Sequence, residues 1–155
     1  MAKSGLFTNQ VEVNLASTTV LVEDVLVELG HVVDKARVDY PECEHAWRIS
    51  KGSATIEIAL LVREGAGWLQ VSASVMTPGS KTDQTALWRK ALLLNAERTA
   101  IASFALRGDT LLLIGQRPTL DMDRSEVLAL IESVSTDADR YDDELVSEFG
   151  GRRGD

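Results

Sequence analysis

The sequence has a single cysteine, Cys43, and only two histidines, His31 and His45. One thiol cannot form an internal disulfide framework, and this cysteine usage indicates a reducing compartment. The only close pair of soft ligands is Cys43 with His45, and two ligands cannot complete a four-ligand zinc site. We therefore expect no disulfide, no metal site and no cofactor.

Familiar catalytic and nucleotide-binding motifs are missing as well. There is no GxxxxGK[ST] loop, no serine lies in a nucleophile elbow, and Gly65-Ala66-Gly67 lacks the glycine and helix start of a dinucleotide loop. These absences argue against an enzyme, although two catalytic carboxylates can lie far apart in sequence. A small-molecule sensor or enzyme with its site between sheet and helices therefore stays open as the alternative. A deep polar cavity with strongly shifted carboxylates would favour it.

Long apolar runs and an excess of positive charge are also absent. No segment approaches the roughly 20 apolar residues of a membrane span, and the first residues lack the apolar core of a signal peptide. The net charge is −8, with 24 acidic and 16 basic residues, so the surface repels phosphate backbones. We expect a cytoplasmic protein that binds neither membranes nor nucleic acid directly. A protein partner with a basic segment suits this charge better.

The densest apolar block runs from residue 87 to residue 115. Its first part has helical spacing, which predicts a helix over about 82–98, and its second part alternates around Gly108-Asp109 as a β-hairpin does. The apolar arc of the helix spans roughly 160°, more than the stripe of about 100° needed to lie on one sheet. Its members are Leu87, Trp88, Ala91, Leu92 and Leu94. A deep groove in the monomer and a subunit interface anchored by Trp88 both explain this width.

The first predicted helix covers residues 18–33, with an N-cap among Ser17, Thr18 and Thr19. Val20 and Val27 interrupt its polar face, either as solitary exposed valines or as part of an apolar patch for a partner. Residues 1–17 are expected to be a loose segment. They also contain an alternating set that would suit a short strand: Val11, Val13 and Leu15.

Alternating apolar residues between positions 47 and 75 predict a three-stranded antiparallel meander. Gly52-Ser53 suits a two-residue hairpin turn, and a second turn falls at 65–67. One face of this sheet would be wet, and the amphipathic helices are available to cover the other.

A long last helix is predicted from Asp123, which forms a capping box with Glu126. One face of this helix is acidic, which is typical either of a solvent-exposed face or of a docking surface for a basic segment. Gly150 and Gly151 end the helix, and residues 151–155 are expected to be a disordered tail. Residues 18–150 are thus expected to form a single α+β domain.

The element order over residues 18–149 is helix, three-stranded antiparallel meander, helix, β-hairpin, helix. This order resembles the type III secretion chaperone-like fold and, within it, the YbjN-like family. The resemblance is clearest where Leu92-Leu93-Leu94-Asn95 leads into the hairpin and in the long helix after Asp123. It implies a non-enzymatic, homodimeric chaperone-like adaptor or regulator that binds a protein partner, for example in a stress response.

The resemblance also implies two sets of functional residues. In this fold, the helix that corresponds to residues 82–98 and the adjoining hairpin contribute to pairing. This points to a dimer interface at Trp88, Ala91, Leu92 and Phe104. Client segments bind in extended form on apolar patches and sheet edges, which points to a partner surface at Val20, Val27, Trp47 and Ile49. Strand addition suits such a site, because backbone hydrogen bonds supply affinity and side-chain pockets supply selectivity.

Overall fold

The computed structural model describes residues 4–154, with side chains from Gln10 onward. The helices pack on one face of an antiparallel sheet whose strands differ in length, and the other face of the sheet is open. The helices are α1 (Ser4–Glu28), α2 (Val33–Ala36), α3 (Gln84–Glu97) and α4 (Arg124–Phe149). The strands are β1 (Arg37–Val38), β2 (His45–Lys51), β3 (Ala54–Arg63), β4 (Ala66–Thr77), β5 (Ser103–Arg107), β6 (Thr110–Pro118) and β7 (Arg152–Arg153). Within this part of the chain, no helix is both long enough and apolar enough to cross a bilayer.

The strand order is β1-β2-β3-β4-β6-β5, and β7 pairs with the far end of β4. Two-residue turns join β2 to β3 and β5 to β6, as the sequence predicts, and the first has Gly52 at a φ of 58°. Glycine suits this position because it adopts positive φ without steric cost. The predicted α+β class, the meander and the hairpin are confirmed.

The core lies between the inner face of the sheet and the two long helices, α1 and α4. Gly115 on β6 shows how closely the layers approach, because a Cβ there would overlap the side chain of Leu130 on α4. Fully buried aliphatic side chains come from the central strands, from α1 and from α4, and include Ile56, Ile58, Leu60, Leu69, Val71, Leu113, Val22, Val25, Leu26, Val127, Ile131 and Val134. Burial of each contributes roughly 1.5–3 kcal/mol of transfer free energy, so this layer is the main source of stability.

The start of α1 differs from the prediction. The helix begins at Ser4 rather than near residue 18, so residues 4–17 are neither a loose segment nor a strand, and residues 1–3 lie outside the described part. Thr18 and Thr19 are not caps: their hydroxyls donate to the carbonyls of Asn14 and Leu15 at 2.8 Å, one turn earlier in the helix. Buried Leu15 continues the core-facing stripe of the helix, which explains the longer element.

The last helix begins as predicted. The Asp123 carboxylate accepts the backbone N–H of Glu126 at 2.9 Å, and the Glu126 carboxylate accepts the N–H of Asp123 at 3.1 Å, which confirms the capping box. Two acids of its predicted docking face are used internally. Asp142, buried, accepts from the Ser53 hydroxyl at 2.5 Å, and Asp139 accepts the Ser53 N–H at 3.1 Å. These contacts fix the β2–β3 turn against α4.

The end of the described chain also differs from the expectation of a disordered tail. Gly150 ends α4 with positive φ, as predicted, but Arg152 and Arg153 then pair with Thr77 and Met76 as β7. Regular elements of the described chain therefore extend beyond the expected domain boundaries at residues 18 and 150.

Replacing Asp123 with alanine removes the cap of α4 and should lower the Tm by about 2–4 °C.

Hydrogen bonds from the Ser125 hydroxyl and the Glu126 backbone N–H lower the pKa of Asp123. A lowered pKa in the folded state contributes stability above the unfolded pKa, and this contribution disappears as the pH falls through the folded value. The Tm difference between wild type and Asp123→Ala should therefore shrink in strong acid.

Thermal unfolding monitored by circular dichroism, at neutral pH and in acid, measures both effects. Glu144→Ala is the matched control, since Glu144 is an exposed acid in the interior of the same helix. Equal Tm values for the two variants at neutral pH would contradict a stabilising cap.

Candidate functional site

An apolar groove lies between α3 and the β5–β6 hairpin. Its volume is about 290 Å³, and its seven lining residues are Trp88, Ala91, Leu92, Phe104, Ala105, Leu106 and Leu111. The structure thus brings together all four residues to which the resemblance assigns a pairing role: Trp88, Ala91, Leu92 and Phe104. Leu92 is 67% exposed and Leu106 is 51% exposed, so large apolar side chains stand in water at the rim.

The groove follows from the way in which α3 meets the rest of the fold. The buried residues of this helix are Leu87, Ala91 and Leu94, which form one narrow stripe toward the core. Phe104 completes the contact, since its ring packs edge-on against Tyr141 of α4 with centroids 5.4 Å apart. A helix needs only such a stripe to attach to the edge of a sheet. The remaining apolar residues of its wide arc are therefore left at the surface.

Asn95 at the end of α3 occupies the edge of β5. Its side-chain oxygen accepts the Phe104 N–H at 2.6 Å, and its side-chain nitrogen donates to the Phe104 carbonyl at 3.3 Å. A neighbouring strand would use the same two backbone groups. The amide thus substitutes for a strand at this position, and a second chain has access to the groove mainly through side-chain contacts.

The residues assigned to a partner surface do not all lie together. Val20 and Val27 are 58% and 63% exposed on α1, and Val13 extends the same seven-residue spacing. Trp47 and Ile49, by contrast, are 1% and 6% exposed on the inner face of β2. The placement of these two side chains on a surface patch is corrected, because the pleat turns them into the core.

The edge of β2, rather than its inward side chains, is accessible. β1 pairs only with Ala46 and Trp47, so the following residues of β2 have no neighbour on that side within the described chain. Counting from the turn-closing pair Lys51–Ala54, the alternating ladder directs the backbone groups of Arg48 and Ser50 to the free edge. A cavity of about 280 Å³ lies beside it, lined by Leu29, His31, Ile49, Ser50, Lys51, Ile131, Glu132 and Ser135.

A third cavity, of about 270 Å³, lies under the loop before β2 and includes Cys43. Burial, with further contributions from Glu42 and Glu57, raises the pKa of the Cys43 thiol, which disfavours the nucleophilic thiolate. Nearby on the open face, Glu57 accepts from Tyr40 at 2.8 Å and from Arg48 at 3.0 Å. Partial burial acts to raise the pKa of Glu57, but the hydrogen bonds from Tyr40 and Arg48 together with the positive charges of Arg48 and Arg107 outweigh it, and the pKa is lowered.

Sequence reasoning missed three features: the place of Leu106 in the groove, the pairing of Asn95 with β5, and the shortness of β1. Leu106 could have been found, because strand alternation places it on the same face as Phe104. The pairing of Asn95 with β5 and the shortness of β1 depend on tertiary contacts and have no local signal. Within residues 4–154, no group of three or more His, Cys, Asp or Glu side chains is arranged to hold a metal ion.

Two solved structures share this fold at low sequence identity. A chain of the HopA1–SchA chaperone–effector complex superposes with a TM-score of 0.58 at 12% identity, covering 85% of this chain and 97% of that one. A chain of the complex between the Yersinia pestis type III secretion chaperone SycH and a stable fragment of YscM2 gives a TM-score of 0.51 at 16% identity. That likeness covers 78% of this chain and 96% of the other.

No curated protein matches the sequence significantly. The family model described as T3SS (YopN, CesT) and YbjN peptide-binding chaperone 1 does match, over residues 16–154. That range includes the last part of α1, the entire sheet, α3 with its groove, and α4. Since the match spans most of the sequence, this chain belongs to the family of T3SS and YbjN peptide-binding chaperones.

Proposed function

We propose that this protein is a homodimeric, non-enzymatic chaperone that pairs through the groove between α3 and β5 and binds an extended segment of a client protein at the free edge of β2. The proposal rests on the exposure of Leu92 and Leu106 in a groove that half-buried Trp88 also lines. Large apolar side chains grouped around a groove are typical of a surface that another protein covers.

A second copy of the chain is the proposed occupant of the groove. In a two-fold symmetric pair, Leu92 of one protomer would enter the groove of the other while the reverse contact forms at the same time. Trp88 supplies the aromatic anchor that interface centres favour. Asn95 already satisfies the Phe104 backbone, so the contact would be formed by side chains rather than by a continuous sheet through β5.

The client is proposed to bind at the opposite end of the sheet. There an added strand would meet the unpaired backbone groups of Arg48 and Ser50, and one of its side chains would enter the adjoining 280 Å³ cavity. Glu132 at the rim and the net charge of −8 favour a basic client segment. The matched solved structures contain a chaperone with an effector and a chaperone with a protein fragment, which supports a protein client.

The packing between sheet and helices supports a binding protein over the alternative of a sensor or enzyme with a site in that layer. The layer is occupied by fully buried aliphatic side chains such as Ile56, Leu69 and Ile131. Glu57, whose pKa is shifted, lies outside it and is hydrogen-bonded to Tyr40 and Arg48. Its low pKa is explained by a structural network on the open face.

Leu92→Asp should convert the proposed dimer to a monomer, because a carboxylate in the groove would have to be desolvated on pairing. Light scattering after size-exclusion chromatography measures the mass at a series of concentrations. Leu120→Asp is the matched control, since Leu120 is 63% exposed in the loop before α4 and does not line the groove. Wild type and Leu120→Asp should have twice the chain mass. A monomeric wild type would rule out the dimer, whereas dissociation of both variants would place the interface elsewhere.

Ser50→Pro should weaken client binding without changing the oligomeric state. Proline removes an N–H that faces the free edge of β2, so no bond to β3 is lost but one bond to an added strand is. The probes are peptides of about ten residues selected from a display library on immobilised wild-type protein. Fluorescence anisotropy should give an affinity at least about fivefold weaker for Ser50→Pro.

Ser50→Ala is the control, because it changes the same side chain and retains the N–H. Equal affinities for the alanine and proline variants would show that the client does not add to this edge. A loss of affinity in both would assign the effect to the hydroxyl and also contradict strand addition.

A further inference from the structure

The far end of β4 has a second exposed edge, which residues 152–154 of the same chain fill. The ladder between β3 and β4 ends at Ile56 opposite Ala73, so β4 continues past its neighbour on that side. β7 takes the vacated position: Arg153 pairs with Met76 and Arg152 with Thr77. The Gly154 N–H then donates to the Val75 carbonyl at 3.0 Å.

A β-bulge in β4 lies at this exposed edge. The register with β6 shifts between Ser74 and Met76, so Val75 has no opposite residue on that strand. A bulge reorients the backbone groups of the extra residue, and here the Val75 carbonyl is directed to the segment on the opposite side. β4 therefore presents backbone groups from Ser74 to Thr77 that require a strand partner.

The position admits only a segment with glycine at fixed places. A Cβ on Gly154 would overlap the backbone of Ser74, and Gly151 adopts a φ of 93° while lying against Thr77 and Gly79. Between them, Arg153 forms an ion pair with Asp143 of the acidic α4. The segment that fits is thus extended, basic and bounded by glycines.

The bound segment contributes little apolar burial. Residues 150–153 are exposed and Gly154 is half-buried, so its displacement would uncover few hydrocarbon groups. An open cavity of about 480 Å³ adjoins it, lined by residues 77–82 and 149–152, and gives room for a longer chain. A contact of this kind holds mainly because its residues are tethered to α4, which keeps their effective concentration near the millimolar range.

We propose that the edge of β4 from Ser74 to Thr77 is a second peptide-binding site, specific for extended segments of the pattern Gly-Arg-Arg-Gly, which residues 151–154 occupy in cis. A basic, glycine-bounded segment of another protein competes with them for the same backbone groups and for Asp143. This site is separate from the groove at α3 and from the edge of β2, so it stands or fails independently of the function proposed above.

The test uses the full chain with its own segment released. In Gly154→Val the added side chain meets the Ser74 backbone, and in Arg153→Glu the new carboxylate faces Asp143. Limited trypsin digestion reports release: cleavage after Arg152 or Arg153 should be faster in Gly154→Val than in wild type. A fluorescein-labelled peptide of residues 150–155, Gly-Gly-Arg-Arg-Gly-Asp, is then titrated against each protein by fluorescence anisotropy.

The peptide should bind both variants at least about tenfold more tightly than it binds wild type, because the segment of the wild-type chain blocks the site. A peptide with valine in place of its last glycine should not bind. Equal binding to wild type and variants would overturn the proposal, since the peptide would then be held elsewhere on the acidic surface. Absence of binding to the released variants, or unchanged trypsin cleavage, would show that residues 151–154 are a fixed part of the fold and would also overturn it. A mass of the variants larger than that of wild type would show exchange of the segment between copies and would also overturn the proposal.

Discussion

The close packing of α4 across β4 and β6 is the constraint on which the rest of the structure depends. Gly115 leaves space for Leu130, and the buried stripe of α4 continues through Val134, Ala138 and Tyr141. Because α1 and α4 fill the inner face, α3 can attach only at the edge, through Phe104 and its contact with Tyr141. Its apolar arc then exceeds what the core can cover, and the groove results from that excess.

The three accessible sheet edges are treated in different ways. At β5, the Asn95 side chain takes both outward-facing groups of Phe104. At the end of β4, residues 152–154 form a short strand in cis. At β2, β1 covers only Ala46 and Trp47 and leaves the next residues without a neighbour in the described chain. Unpaired edges attract other chains, so the least protected edge is the natural place for a peptide.

Some carboxylates of the acidic surface form contacts within the chain, and others are available to a partner. Asp139 and Asp142 hold the β2–β3 turn, and Asp143 pairs with Arg153, so these carboxylates are already engaged within the chain. Glu132 remains at the rim of the cavity beside β2. The proposed attraction of a basic client would therefore arise from the net charge, whereas its position would be set by the edges and grooves.

Elements with strong local signals were predictable from the chain alone. Period-two alternation placed the meander, Gly52-Ser53 placed its first turn, and Asp123 with Glu126 placed the start of α4. The second turn, predicted at 65–67, lies at residues 64–65, since Ala66 and Gly67 belong to β4. An apolar helical arc too wide for one sheet was also visible in the chain, and the family resemblance then pointed to Trp88, Ala91, Leu92 and Phe104, four of the seven residues that line the groove. Tertiary structure decided what depends on distant contacts: the burial of Trp47 and Ile49, the extension of α1 to Ser4, and the pairing of residues 152–153 with β4. A period shows which residues share a face, but which face is covered depends on where the other elements pack.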